Sequence, residues 1–445
     1  MNTPESDPVY FIPAGDYFGK TEDACFLVYS PFAGKSFLAL PNESERLSHL
    51  PEGKRHEDAI FRQLLPEQKH MEQMSMHAMP EMTSMELILN EKCNFNCPYC
   101  YSAGSRSSSE LSGEHIEAGI RFIHECALKH ARKDVEITFI GGGEPLLSWD
   151  LIESAVAFSS AIRKDDCINT KWGLITNGSL FTDEKIAFCK EHGFEIQFSF
   201  EILERIQNLQ RNSFDIVSNN LKKVLAAGCN AYVRSTITEA NVDLLPEMAE
   251  TCLRDYPGVK HLGCEPVTDE NMAKNPERMR SFFNRYFESF LTSYPIWANT
   301  DLCLSSSSTR SRKRIRKRFC GPILVLQTNG EFVSCAHFSS PQIPGFQDFR
   351  YGCIRNNKIE ISKDDFYRIY PDTLPDKCNT CWARWNCGGG CNNHRYLFSE
   401  EAFDIVCEAR RKLLRLELLY TLERKFKTAN GRDFKASITA ILEKN

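Results

Sequence analysis

The segment Cys93-Asn-Phe-Asn-Cys97-Pro-Tyr-Cys100 decides the fold of this chain, because three cysteines in eight residues can wrap one metal cluster. An iron–sulfur cluster that only carries electrons is usually held by four cysteines. The next cysteine, Cys126, falls on a predicted helix. Three thiolates therefore predict a 4Fe–4S cluster with one iron open to a non-protein ligand. A zinc knuckle is the alternative, although structural zinc is closed by four ligands.

Around this loop, from about residue 84 to 300, short apolar strands alternate with amphipathic helices. The predicted strands are Glu86–Leu89, Val135–Ile140, Trp172–Thr176, Glu195–Ser199, Tyr232–Ile237 and His261–Gly263. The predicted helices include Gly113–Lys129, Asp150–Ile162, Asp183–His192 and Phe214–Ala227. Six β-then-α units predict an α/β fold, a barrel or partial barrel with a parallel sheet. In such folds chemistry lies at the carboxyl ends of the strands, where the cysteine loop follows the first strand.

The cysteine loop resembles the signature of the radical S-adenosylmethionine (SAM) superfamily, C-x3-C-x-aromatic-C, with Tyr99 in the aromatic place. The resemblance implies a partial (β/α)6 barrel and a cluster whose open iron is chelated by SAM. One electron then cleaves SAM to a 5′-deoxyadenosyl radical, which abstracts a hydrogen atom from the substrate. The cofactors carry this chemistry and the protein positions them. An external electron donor, a flavodoxin or ferredoxin, is implied as a partner.

A second match follows the second strand. Gly142-Gly143-Glu144-Pro145 corresponds to the family's GGEP motif, which implies that the carboxylate and the bare glycine backbone receive the methionyl ammonium. Asn177 ends the third strand within Thr176-Asn177-Gly178 and is an implied SAM contact. If the family resemblance is set aside, the residue types of both segments are those of ordinary turns.

The fourth strand ends in Ser199-Phe-Glu201-Ile202, where the family often has Ser-x-Asp-Gly, and Arg211 follows. The resemblance implies that Ser199 and Arg211 contact the ribose and the methionyl carboxylate. The two substitutions in the motif depart from the family pattern. A solvated arginine is the alternative interpretation of Arg211.

The C-terminal part of the chain holds a second cysteine set at metal-ligand spacing. Its members are Cys320, Cys335, Cys378, Cys381, Cys387, Cys391 and Cys407. The set resembles the SPASM domain, which binds auxiliary iron–sulfur clusters in radical SAM enzymes. A pair of zinc sites is the alternative, but the C-x5-C-x3-C spacing is not usual for zinc.

The SPASM resemblance divides these ligands between two auxiliary 4Fe–4S clusters. It implies that Cys320, Cys335 and Cys391 hold the first, and that Cys378, Cys381, Cys387 and Cys407 hold the second. The first lacks a fourth cysteine, and Cys353 is the candidate. An ordinary strand cysteine is the alternative there.

The composition of the chain narrows the class of protein and its cellular location. The chain has 445 residues, 19 cysteines and a net charge of −5. Cysteines at metal-ligand spacing in a large chain without a secretory signal predict metal or redox chemistry rather than disulfides. The acidic balance argues against nucleic acid, and no apolar run is long enough to span a membrane. We expect a cytoplasmic protein.

We expect four regions: an N-terminal α+β domain over residues 1–80, a radical SAM core over 84–300, a cysteine-rich cluster-binding domain over 301–410 and a helical extension over 411–445. Region 301–410 shows little helical or strand periodicity, and clusters would replace a core there. A long helix is predicted from about Glu401 through Lys425.

The pattern of the N-terminal region predicts strands, then helices, then a linker rich in Met and His. The predicted elements are strands Val9–Ile12, Cys25–Tyr29 and Lys35–Leu40, helices Glu43–Leu50 with Asn42 as N-cap and His56–Leu65, and the linker Met71–Met85. The order of elements resembles a PqqD-like recognition domain, which binds a leader peptide as an added edge strand. A structural extension packed on the barrel is the alternative.

The resemblance implies a peptide or protein substrate. A maturase of ribosomally made peptides, which installs a crosslink or another modification, is the favoured function. A sulfatase maturase, which forms formylglycine, is the alternative. Sulfatase maturases carry Asp directly after the cysteine of their G-x4-C element, and this chain has Ala336 after Cys335. A non-catalytic iron–sulfur or zinc scaffold is the alternative from another class.

Two residues are candidate bases: Glu265, which ends the sixth strand, and His337, beside Cys335. Each has a structural interpretation as well. The run from Arg310 to Arg318 carries seven positive charges in nine residues and predicts either a solvated face or attraction of an acidic peptide.

Overall fold

The strands of the described residues form two sheets. The computed structural model describes residues 9–64, 82–313, 315–371 and 373–444. The strands are Tyr10–Pro13 (β1), Phe26–Ser30 (β2), Lys35–Ala39 (β3), Ser84–Ile88 (β4), Asp134–Ile140 (β5), Asn169–Thr176 (β6), Glu195–Ser199 (β7), Asn230–Ile237 (β8), His261–Pro266 (β9), Cys303–Ser305 (β10), Leu324–Leu326 (β11), Glu331–Val333 (β12), Arg350–Arg355 (β13) and Lys358–Ile361 (β14).

Helices connect and cover these strands. They are Pro41–Ser48 (α1), Ala59–Leu64 (α2), Gly113–Lys129 (α3), Trp149–Asp166 (α4), Asp183–Glu191 (α5), Glu204–Gln210 (α6), Phe214–Ala226 (α7), Leu245–Asp255 (α8), Glu270–Ala273 (α9), Pro276–Trp297 (α10), Ser307–Arg310 (α11), Phe346–Phe349 (α12), Lys363–Ile369 (α13), Arg384–Cys387 (α14), Asn392–Leu397 (α15), Glu400–Asn430 (α16) and Phe434–Leu442 (α17). No helix of the described residues has the length and apolarity that crossing a membrane requires.

Strands β4 to β9 lie side by side in chain order, and each neighbouring pair is parallel. Alternate residues such as Ile137 and Phe139 are fully buried beneath the helices, while Thr138 and Ile140 are partly exposed on the opposite face. This period of two is what a strand that is covered on one face requires. The predicted α/β class and the partial barrel of six β-then-α units are therefore confirmed.

The sheet does not end at the barrel. Strand β11 pairs in parallel with β4, with Val325 opposite Glu86, and β12, β13 and β14 continue it antiparallel. The expectation of little regular structure over residues 301–410 is therefore wrong. These strands have three to six residues, which is too short for an alternating pattern to be recognised.

At the N-terminus, β1, β2 and β3 form a separate antiparallel sheet. Its residues Leu27 and Tyr29 share an apolar cluster with Leu418 and Phe434 of the two C-terminal helices. The sheet thus packs on α16 and α17. Helix α1 begins at Pro41 after the flanking Leu40, so the prediction of Asn42 as N-cap is wrong. Of the predicted linker, residues up to 81 lie outside the described residues, as does Leu65, and Met85 belongs to β4.

Candidate active site

The cysteine loop lies between β4 and α3, at the carboxyl edge of the parallel sheet. Cys93, Cys97 and Cys100 line one cavity of about 470 Å³, together with residues that end β5, β6, β7 and β8. The amide of Cys100 donates a hydrogen bond to the carbonyl of Cys97 over 3.1 Å, which tightens the loop. The structure therefore brings the three sequence-predicted ligands to one cavity.

Hydrogen-bond donors approach each of the three sulfurs. Arg211 Nη1 lies 3.9 Å from Cys97 Sγ, Arg106 Nη2 lies 3.8 Å from Cys100 Sγ, and the Phe95 amide lies 3.5 Å from Cys93 Sγ. Burial raises the pKa of Cys93 and Cys97, so these thiols need a bound metal to remain thiolates at neutral pH. Donors around the sulfurs suit the anionic ligands of an iron–sulfur cluster.

No three His, Cys, Asp or Glu side chains of the described residues converge on one point as the ligands of a single metal ion would. The cysteine sulfurs of a four-iron cluster are spaced more widely than the ligands of one zinc ion. The three cysteines, the cavity that they line and the donors near their sulfurs therefore fit a 4Fe–4S cluster.

The glycines after β5 allow the loop after β4 to pack against them. A Cβ on Gly143 would lie 1.7 Å from the carbonyl oxygen of Lys92 and 2.4 Å from Asn90 Oδ1. The amides of Gly143 and Glu144 donate to the carbonyls of Asn90 and Lys92 over 2.9 and 2.7 Å. The first part of the expected GGEP motif therefore fixes the start of the cysteine loop by backbone contacts, with Gly142 beside it and Pro145 beginning a 3-10 turn.

We expect Gly143→Ala to reduce the iron bound per chain at the first cluster, because the added methyl group cannot fit against the Lys92 carbonyl without moving the cysteine loop. Iron and protein assays after anaerobic reconstitution measure this. Gly104→Ala is the matched control, since a Cβ on Gly104 meets no atom within 4 Å. Equal iron contents in the two variants would contradict the expected contact.

Glu144 lines the cavity, and its carboxylate is also bound by the neighbouring loops. It is 2% exposed and accepts hydrogen bonds from the Thr176 hydroxyl (2.6 Å) and from the amides of Asn177 (2.7 Å) and Leu146 (3.1 Å). Three of its acceptor positions are therefore used within the protein. Glu144 joins the loops after β5 and β6, and the Asn177 side chain in turn donates to Asn94 Oδ1 in the cysteine loop over 2.9 Å.

Glu201, Arg211 and Tyr99 form a buried network behind the cysteine loop. Glu201 has no exposed surface and accepts hydrogen bonds from the Tyr99 hydroxyl (2.7 Å), Arg211 Nε (2.7 Å) and the Thr236 amide (3.1 Å). The guanidinium of Arg211 lies 5.2 Å from the centre of the Tyr99 ring. Burial acts to lower the pKa of Arg211, but Glu201, Tyr99 and Cys97 together outweigh it and the pKa is raised. The guanidinium is therefore held in its charged form.

This network adds a structural contact to the expected roles of Tyr99 and Arg211. Both residues line the cavity, as does Ser199, and their polar groups also bind Glu201. Arg234, which the sequence analysis missed, lines the same cavity and makes no ion pair within the described residues. Ile202 stands at a φ of 63°, the left-handed region where the family pattern has glycine, so its β-branched side chain is strained.

The structure separates the two candidate bases. Glu265 accepts a hydrogen bond from Arg310 Nη2 over 2.8 Å and lines a different cavity of about 70 Å³. The basic run folds back onto the barrel here, and the structural interpretation of Glu265 fits this contact. His337 does line the cysteine cavity and stacks on Tyr101 with ring centres 4.9 Å apart. Burial lowers the pKa of His337 to about 4, so it is neutral and a weak base.

Glu86 is a titratable residue that the sequence analysis missed. Its neighbours along β4 are buried beneath the helices, so strand alternation turns Glu86 to the inner face of the barrel. Burial, and then the nearby Glu136, raise the pKa of Glu86 to about 7. Glu86 is close enough to Tyr101 and Cys335 to raise their pKa values. A carboxylate within an otherwise apolar first strand was the available signal.

The seven C-terminal cysteines lie in two groups. Cys391 is close enough to Cys320 and Cys335 to raise their pKa, and Cys387 is close enough to Cys378 and Cys407 to raise theirs. The first group is Cys320, Cys335 and Cys391, and the second is Cys378, Cys381, Cys387 and Cys407. These are the two sets that the SPASM resemblance implies. The first group borders the cysteine cavity, because His337 and Asn393 line that cavity.

Cys353 is not brought to the first group. It lies in β13 opposite Glu331, the first residue of β12, whereas Cys335 follows the other end of β12. At about 3.3 Å of rise per residue, the two cysteines are separated by roughly 10 Å or more. The expectation of Cys353 as fourth ligand is therefore not supported by its placement, and the strand interpretation fits.

Three successive glycines connect the two cysteine groups. Gly388, Gly389 and Gly390 join Cys387 to Cys391, and all three have left-handed φ angles of 62°, 81° and 77°. A Cβ on Gly388 would lie 2.3 Å from the carbonyl carbon of Arg318. Only glycine adopts such a run without strain, so this linker fixes the spacing of the two groups.

Comparison with known proteins identifies the core. Residues 87–251 match the sequence model of the Radical SAM superfamily. The chain is 25% identical over 156 residues to the radical SAM cyclopropyl synthase TigE of Paramaledivibacter caminithermalis, which covers 32% of each chain. It is 24% identical over 331 residues to the serine-type anaerobic sulfatase-maturating enzyme of Klebsiella aerogenes, covering 68% of this chain and 77% of that protein.

A third relative is the sporulation killing factor maturation protein SkfB of Bacillus subtilis, 28% identical over 174 residues, with 38% of this chain and 39% of that protein covered. The chain thus matches only about a third of the lengths of TigE and SkfB.

Solved structures share the fold. Native anSMEcpe with bound AdoMet superposes with a TM-score of 0.60 at 17% identity, over 78% of this chain and 100% of that chain. Streptococcus suis SuiB bound to its precursor peptide SuiA gives a TM-score of 0.50 at 13% identity, over 89% and 97%.

Proposed function

We propose that this chain, whose residues 87–251 form a radical SAM domain, is a peptide maturase that abstracts a hydrogen atom from a peptide and installs a crosslink or another modification. One observation carries the choice of a peptide. The cysteine cavity adjoins a groove of about 870 Å³, and both are lined by Tyr99, Cys100, Tyr101 and His337. The cluster and SAM would occupy the cysteine cavity, which leaves the adjoining groove for the substrate, at the upper end of the roughly 300–1,000 Å³ that is usual for small-molecule pockets.

Within this proposal the chain's own residues have distinct tasks. Cys93, Cys97 and Cys100 would hold a 4Fe–4S cluster that, with SAM and one electron from a flavodoxin or ferredoxin, supplies the 5′-deoxyadenosyl radical. The network of Glu201 and Arg211 orients the loop behind Cys97. Ser199, Asn177 and Arg234 line the cavity and would position SAM or substrate.

The two C-terminal groups are proposed to hold auxiliary 4Fe–4S clusters, with the first ligand set incomplete within the chain. Cys320, Cys335 and Cys391 then leave one iron of that cluster open to another ligand. A substrate thiolate or carboxylate could take this place, because the group borders the cavity through His337 and Asn393.

The N-terminal sheet is proposed to recognise a leader peptide. Strands β1 and β3 each pair only with β2, so each has one free edge among the described residues to which an extended peptide can add. We propose the same four regions as functional units of the chain: 1–80, 84–300, 301–410 and 411–445. Strand β11 of the third region joins the sheet of the second.

The defining experiment uses full-length protein purified without oxygen and a candidate peptide encoded beside its gene. We expect a brown protein with about twelve irons per chain for three 4Fe–4S clusters, formation of 5′-deoxyadenosine with SAM and reductant, and a mass change in the peptide. A colourless zinc protein would instead support a non-catalytic scaffold.

A sulfatase maturase remains the second candidate, because the Klebsiella aerogenes relative matches 68% of this chain. Ala336 stands where the family has an aspartate, which argues against formylglycine formation. Incubation with a sulfatase-derived peptide and an aldehyde-reactive hydrazide separates the candidates. An aldehyde product would overturn the maturase proposal.

We expect Glu86 to act as a proton acceptor on the inner face of the barrel, beside Tyr101 of the cavity, and Glu86→Gln to remove a pH dependence. The raised pKa of about 7 leaves the carboxyl mostly protonated at pH 6 and ionised at pH 8, so product formation in the wild type should rise through pH 7. The variant should cleave SAM but form less product, without that rise. The groups that face Glu86 are Glu136, Tyr101, Cys320 and Cys335.

The raised pKa of Glu86 also predicts how the stability of the protein changes with pH. The unfolded carboxyl loses its proton near pH 4.5 and the folded one near pH 7, so the stability of the wild type falls between these values and levels off above pH 7, where both states are ionised. Glu86→Gln should therefore gain stability relative to the wild type as the pH rises from 5 to 7, by at most about 3 kcal/mol. Identical pH profiles of product and stability in both proteins would show that Glu86 does not titrate in this range.

A further inference from the structure

Arg410 lies where the two C-terminal cysteine groups meet. It belongs to α16 and is 9% exposed. Its Nη1 lies 3.9 Å from Cys387 Sγ, a member of the second group. Its guanidinium carbon lies 4.3 Å from the ring centre of Phe319, the residue before Cys320 of the first group. One side chain thus reaches both groups.

The glycine linker makes room for this arginine. A Cβ on Gly390 would lie 3.0 Å from Arg410 Nη1, so a side chain there would compete with the guanidinium. The guanidinium thus lies beside Gly390, which precedes Cys391 of the first group, and beside Cys387 of the second group.

Arg410 is a buried cation without an acidic partner. Within the described part of the chain it forms no ion pair with a carboxylate, whereas the other buried arginine of the site, Arg211, is paired with Glu201 over 2.7 Å. A buried guanidinium without a counter-charge is strongly unfavourable. Thiolates around two anionic clusters supply the missing negative charge, and this fits the auxiliary clusters of the proposed function.

We propose that Arg410 is the shared counter-charge of the two auxiliary clusters and raises the reduction potential of both. This inference rests on the proposed function, because it requires that both clusters be present. Reduction adds negative charge to a cluster, and a nearby cation in a region of low dielectric stabilises the reduced state. Arg410 acts through the clusters and is a positioning residue that keeps their potentials within reach of each other for electron transfer.

The test is a redox titration of full-length, anaerobically reconstituted protein, followed by electron paramagnetic resonance. Arg410→Gln should shift the midpoint potentials of both auxiliary signals to more negative values and leave the SAM-binding cluster unchanged. Arg410→Lys, which retains the charge, should show a smaller shift. Lys425→Gln is the matched control, because it removes one positive charge from an exposed position on the same helix.

Each outcome decides a separate point. Full iron content with unchanged midpoints in Arg410→Gln would overturn the inference. If Arg410→Gln binds less iron while Arg410→Lys binds the wild-type amount, the charge is required and the inference stands. If both variants lose iron equally, the role is steric and the inference is wrong. A wild type with only about four irons would instead contradict the auxiliary clusters of the proposed function.

Discussion

Replacing Cys97 with alanine is expected to abolish the formation of 5′-deoxyadenosine. Cys97 is buried at the cavity, 3.9 Å from Arg211 Nη1, and two remaining thiolates cannot hold a 4Fe–4S cluster with one open iron. The auxiliary clusters should remain, because their ligands come from another part of the chain. Iron should therefore fall by about four of about twelve per chain, while the protein keeps part of its brown colour.

Chromatographic detection of 5′-deoxyadenosine and an iron assay measure both effects in the same sample. Cys167→Ala is the matched control, since Cys167 is an exposed cysteine outside the three groups. It should leave cleavage and iron content at the wild-type level. Persistent SAM cleavage in Cys97→Ala would place the radical-generating cluster elsewhere in the chain.

The second large effect is expected on stability. Glu201→Ala leaves the Arg211 guanidinium buried without its carboxylate, and it also removes the acceptor of the Tyr99 hydroxyl. Breaking a buried pair on one side typically costs about 3–5 kcal/mol. We expect a lower midpoint of urea unfolding and reduced cluster binding, since the same arginine contacts Cys97 Sγ.

An exposed ion pair of the same type provides the control. Arg205 and Glu247 make two hydrogen bonds of 2.6 and 2.5 Å on the surface, and such pairs contribute less than about 1 kcal/mol. Glu247→Ala should therefore change the unfolding midpoint only slightly. Equal losses of stability in the two variants would mean that the buried Glu201 network stabilises the fold no more than an exposed ion pair does.

The barrel could be predicted closely from the sequence because its periodicity is strong. Helix α3 has the predicted bounds, Gly113–Lys129, and β7 has the predicted bounds, Glu195–Ser199. Long amphipathic helices and half-covered strands repeat their pattern often enough to be recognised. Strands β11 and β12 have only three residues each, so no pattern indicated that they extend the sheet.

The site was predictable where ligands are close in sequence and unpredictable where partners are distant. The spacing of Cys93, Cys97 and Cys100 was enough to predict them as ligands of one cluster. Glu265 was a candidate base, but Arg310, 45 positions away, binds its carboxylate. Arg410 has no local motif, and only the packing of α16 brings it to Cys387, 23 positions earlier.

The parallel pairing of β11 with β4 has a consequence for how this chain can be divided. Strand β4, which leads into the cysteine loop, is flanked by β5 on one side and by β11 on the other. Removing the C-terminal part would uncover a row of unpaired amides and carbonyls along β4, and exposed edges of this kind promote aggregation. Strand β4 and the cysteine loop that follows it therefore need β11 as cover, so we do not expect the parallel sheet and the C-terminal strands to be separable into two soluble fragments.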